Sequence, residues 1–109
     1  MSIHHAKPGE IIQLPLGSAL QDSKTTTLVK TDSIELIRLV LPAGKEIPTH
    51  KAPGEITVQC LEGCIEFSTD GQTQKLTASQ LLFLTPGAPH AVRALENSSL
   101  LVTLLLPEK

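Results

Sequence analysis

The chain has 109 residues, is 40% hydrophobic and 18% charged, and carries a net charge of −2. These values describe one small globular domain, large enough for a workable core with little to spare, and not a disordered chain. The 9 Lys+Arg are scattered and there is no Tyr or Trp, which argues against nucleic-acid binding.

The chain order reads as an all-β protein, with short apolar runs set off by Gly, Pro, Asp and Asn. Residues 1–20 are the least patterned. Thr25–Lys30 is rich in β-branched residues, and Thr31-Asp32-Ser33 turns the chain. Ile34–Leu41 then runs apolar for most of its length, as a strand buried on both faces would, and Pro42-Ala43-Gly44 ends it. Ile56–Leu61 and Cys64–Thr69 are predicted to form a hairpin across Glu62-Gly63. Asp70-Gly71 is a type I′ turn signal, since both residues tolerate positive φ, and Gln72–Leu76 returns from it. Gln80–Leu84, His90–Leu95 and Leu100–Leu106 complete the set, with Thr85-Pro86-Gly87-Ala88-Pro89 between the first two. Ala78–Leu84 would pass for a helical turn, but Pro86 and Pro89 follow at once. Many short strands at regular spacing imply a sandwich or barrel in a single domain spanning 1–109. No repeat or linker divides it.

No apolar stretch reaches membrane-spanning length, and the N-terminus lacks an apolar signal-peptide core, so a cytosolic protein without membrane contact is expected. With the hairpin as drawn, Cys60 and Cys64 point to opposite faces of the sheet, poor geometry for a disulfide. Both are read as free, buried thiols, with a redox pair as the alternative.

Of the four histidines, His50 and His90 each flank a Pro/Gly-rich turn that opens a strand. On different strands, they are placed to converge at a barrel mouth. Neutral imidazole is a common transition-metal ligand. The plainer reading is that the two rings bond each other or a water.

Residues 44–63, GKEIPTHKAPGEITVQCLEG, resemble the first motif of the cupin superfamily: Gly, five residues, His-x-His, three or four residues, Glu, six residues, Gly. Gly44, His50 and Gly63 match. Ala52 stands at the second histidine and Ile56 at the carboxylate, with Glu55 beside it. Residues 79–94, SQLLFLTPGAPHAVRA, resemble the second motif through Gly87 and His90, while Ser79, Thr85 and Ala94 depart from it. The chain is similar to RmlC-like small single-domain cupins. The resemblance implies a double-stranded β-helix, a jelly-roll barrel of two antiparallel sheets, often a homodimer. It also implies a divalent metal such as Fe, Mn, Ni or Zn, held by three His and one carboxylate.

His50 and His90 remain of those four ligands, and a first-row metal generally takes three or four donors. Glu55, Gln59, Cys60, His4 and His5 are the candidates to complete the set. Period 2 along Ile56–Leu61 turns Gln59 away from the pocket and Cys60 inward, deeper than Ile56. The expected walls are Ile56, Val58, Cys60, Leu82 or Phe83, and Val92. Sugar-nucleotide epimerases of this fold use a Tyr acid, and this chain has no Tyr. The leading expectation is a small-molecule-binding cupin with a reduced two-histidine metal site. The alternative is a metal-dependent oxygenase or isomerase of a small organic acid or phenolic. A ligand-sensing module is a third.

Overall fold

Alternation along each strand decides which side chains turn inward, and the described strands form two antiparallel sheets on that basis. The structure is a computed structural model that describes residues 5–14 and 25–107. The strands are β1 (Thr26–Lys30), β2 (Ile34–Leu41), β3 (Glu46–His50), β4 (Ile56–Glu62), β5 (Cys64–Thr69), β6 (Gln72–Thr77), β7 (Leu81–Leu84), β8 (His90–Ala94) and β9 (Ser98–Leu105). One sheet has the order β1-β2-β9-β4-β7 and the other β3-β8-β5-β6. This is the all-β jelly-roll architecture expected from the sequence. No described helix is long and apolar enough to cross a membrane.

The core lies between the sheets. Ile56, Val58 and Cys60 on β4 face Ile65 and Phe67 on β5 and Val92 and Ala94 on β8, with Leu100 and Val102 from β9 closing the interior. Each such aliphatic side chain contributes about 1.5–3 kcal/mol by leaving water. The Asp70-Gly71 turn forms as predicted, with φ of 51° and 75°, joining β5 to β6 in continuous register.

Three expectations are corrected. Ile56–Leu61 and Cys64–Thr69 are not a hairpin, because β4 pairs with β7 and β9 while β5 pairs with β6 and β8. Glu62-Gly63 carries the chain from one sheet to the other. Gly63 has φ of +88°, and a Cβ there would collide with Ser98 and the Asn97 carbonyl. The two-sheet core outweighs the local turn signal.

Second, residues 46–50 form β3, which the sequence pattern did not suggest. Pro48 lacks an N–H, which fits only an edge strand or an irregular register. β3 has both, lying at the edge of its sheet with a register shift between Ile47 and His50. Third, β2 is not uniformly buried on both faces. Its outward residues Leu36 and Val40 are half-buried. Arg38 beside them is buried, and its Nε donates to Ser99 Oγ at 2.9 Å.

Candidate functional site

The β3–β8 register places His50 directly opposite His90. Their ring centroids are 4.2 Å apart, and the rings meet edge to face at 62°. Phe67, from β5, lies nearly parallel to His90 with centroids 5.7 Å apart, an offset stack that fixes the imidazole plane. His90 is buried and His50 is exposed, so the pair sits where the interior meets solvent.

Each ring makes the same backbone contact. His50 Nδ1 lies 3.0 Å from Pro48 O, and His90 Nδ1 lies 3.0 Å from Ala88 O. A carbonyl only accepts, so both Nδ1 atoms carry the proton, and in the neutral ring Nε2 presents a lone pair. Metal-ligating histidines are oriented in this manner. Burial lowers the His90 pKa below that of an ordinary histidine. The Ala88 carbonyl opposes this and His50 adds to it, and burial prevails.

The two rings lie on the wall of a cavity of about 360 Å³. Ile37 and Leu39 of β2, Ile56 and Val58 of β4, and Leu100, Val102 and Leu104 of β9 form its floor. Ala52 and Ile56 also line it, so the four positions of the cupin ligand set converge on one space. Two of the four hold apolar side chains there.

The other candidates fall elsewhere. Glu55 is exposed, and its carbonyl accepts from Leu105 N. Gln59 does not line the cavity and lies on the opposite face of β4, opposite Leu81 and Leu101. Cys60 is fully buried but does not line the cavity; its thiol contacts Glu62 O at 3.3 Å. Burial, aided by Cys64, raises its pKa and keeps it protonated, unlike a ligating thiolate. His5 is exposed, next to Ala6, whose N–H bonds Leu28 O. His4 lies outside the described residues. Among the described residues, no three of His, Cys, Asp and Glu gather to hold a metal. The residues present therefore do not fit the full cupin set, and in each histidine the carbonyl contact is made by Nδ1 and not by Nε2.

Of the expected walls, Ile56, Val58 and Val92 line the cavity, while Cys60, Leu82 and Phe83 do not. Phe83 is 56% exposed on the outer face. Sequence reasoning missed Phe67 and Lys51. The alternation Cys64–Thr69 marks Phe67 as inward, but its meeting with His90 requires the β5–β8 pairing. Lys51 carried no signal beyond its place next to His50.

A two-sheet barrel with a histidine pair at the open end of an apolar cavity defines a cupin. The cupin-domain family model (Cupin_2) matches residues 37–106, and the chain belongs to that family. Among solved structures, a conserved protein of unknown function from Streptococcus pyogenes is 27% identical with a TM-score of 0.78, covering 100% of this chain and 98% of that one. A cupin superfamily protein from Desulfitobacterium hafniense is 16% identical with a TM-score of 0.79, covering 98% and 100%. A mutant salicylate 1,2-dioxygenase from Pseudoaminobacter salicylatoxidans, in complex with gentisate, is 22% identical with a TM-score of 0.64, covering 67% of this chain and 20% of that one. No curated protein sequence matches the chain.

Proposed function

We propose that this chain is a small-molecule-binding cupin whose ligand enters the apolar cavity against His50 and His90, and that the pair is a reduced form of the cupin metal site. The observation that carries the reading is the matched pair of Nδ1 contacts, at 3.0 Å each, which leaves two Nε2 atoms facing other partners beside a ligand-sized space. Such a space, mostly apolar with a few polar groups, has the usual form of a small-molecule site. A divalent transition metal would be held by the two imidazoles, with water or ligand completing its coordination, and would supply Lewis acidity there. The chain's own residues orient both rings and supply an aliphatic floor.

Elemental analysis of untagged protein, beside the His50→Ala/His90→Ala double variant, tests the site. The reading expects metal in the parent that dialysis removes, and none in the variant. Near-stoichiometric metal that survives dialysis would favour the second reading, a metal-dependent oxygenase or isomerase of a small organic acid or phenolic. The likeness to the salicylate dioxygenase bears on that reading.

The protein is further proposed to be a homodimer. Leu81 and Phe83 are 60% and 56% exposed on the outer face of the five-stranded sheet. Their register neighbours there are the uncharged Gln59 and Thr57. A second copy is the fitting partner because the β4–β7 part of this face, with Leu81, Phe83, Gln59 and Thr57, can meet its own copy without burying an unpaired charge. Phe83→Glu should convert a dimer to a monomer by light scattering. A cytosolic setting agrees with the two free cysteines.

A further inference from the structure

We infer that the ligand is a small carboxylate, an apolar body with one anionic head that Lys51 receives at the open end of the cavity. The inference rests on the cavity being a ligand site and names what it takes.

The lining is one-sided in its chemistry. Among the described residues, the polar ones that line it are His50, His90 and Lys51, and no Asp, Glu, Ser, Thr, Asn or Gln does. Lys51 takes part in no ion pair among the described residues. The Lys51 ammonium puts positive charge at that end, and a metal cation at the two Nε2 positions would add to it. No anion among the described lining residues balances it, so the counter-charge is left to the ligand. An amine head would meet the Lys51 ammonium, and a neutral head would accept a weaker hydrogen bond from it. A carboxylate gains a charge-assisted hydrogen bond.

The volume sets the size of the body. At a water molecule's share of about 30 Å³, 360 Å³ holds about a dozen non-hydrogen atoms. Apolar walls from β2, β4 and β9 then favour a hydrocarbon chain or a single ring. Each added methylene should tighten binding about fourfold until the space is full.

The test is calorimetric titration of the full chain after chelator treatment and dialysis, with octanoate, octanamide and octylamine as matched probes. Octanoate should bind about tenfold tighter than octanamide, with octylamine weakest. Affinity should rise from hexanoate to octanoate and stop rising near dodecanoate. Lys51 is exposed, so its variants leave the core intact. Lys51→Ala should remove most of the acid-over-amide preference, with a smaller loss for octanamide than for octanoate, and Lys51→Glu should turn the preference toward octylamine. If octanamide binds as well as octanoate, or the Lys51 variants leave the ratio unchanged, the carboxylate inference fails while the cavity reading stands. If no probe binds, both fail.

Discussion

Replacing Ala52 with His and Ile56 with Glu should rebuild a four-ligand metal centre, because both positions line the cavity that His50 and His90 share. Ile56 is 4% exposed. Ile56→Glu therefore loses about 1.5–3 kcal/mol of aliphatic burial and leaves a buried carboxylate, for a total on the order of 3–5 kcal/mol. In a domain of this size each kcal/mol is roughly 4–8 °C in Tm, so the metal-free double variant should melt about 12–40 °C lower. Ala52→His costs less, since the cavity offers the ring space. Metal binding returns stability by mass action, about 4 kcal/mol when free metal exceeds Kd a thousandfold. The assay is thermal unfolding with and without cobalt, beside elemental analysis of the dialysed protein. Stoichiometric cobalt and a recovered Tm are expected for the Ala52→His/Ile56→Glu variant. A folded variant that holds no cobalt would refute the convergence of the four positions.

Gly63→Ala should destabilise by roughly 2–4 kcal/mol in urea unfolding, from left-handed strain and from displacing Ser98, whose Oγ accepts from Cys64 N at 3.1 Å. A loss under about 1 kcal/mol would contradict the crossing geometry. The depressed His90 pKa makes the unfolded chain the better proton binder. In chelator-treated protein, the stability from neutral His90 should be complete above about pH 6.5 and decline as pH falls from there toward the folded pKa. His90→Gln should flatten the fall in Tm between pH 7.5 and 5, and an unchanged slope would count against it. Of the thiols, half-buried Cys64 should react with Ellman's reagent in the native protein and buried Cys60 only on unfolding. Equal rates would place Cys60 nearer solvent than its thiol contact with the Glu62 carbonyl implies.

Much of the fold was legible in local pattern. Ile34–Leu41 coincides with β2, and Asp70-Gly71 makes its turn, because a strand's apolar run and a turn's positive φ are properties of neighbouring residues. The inward set Ile56, Val58 and Cys60 follows from period 2 alone. The turn contexts singled out His50 and His90, and the resemblance to the cupin motifs marked Ala52 and Ile56 as the altered positions. What local pattern cannot carry is the choice of partner strand. Glu62-Gly63 has the composition of a hairpin turn, yet β4 and β5 enter different sheets, so that Ile56, Val58 and Cys60 join Ile65 and Phe67 in the core between them. β3 went unseen because Pro48 breaks the strand signal, and only its edge position makes that tolerable. The meeting of His50, His90 and Phe67, and the one-sided lining that includes Lys51, arise from pairings between strands far apart in sequence. Alternation within β5 marks Phe67 as inward, but only its pairing with β8 sets it against His90.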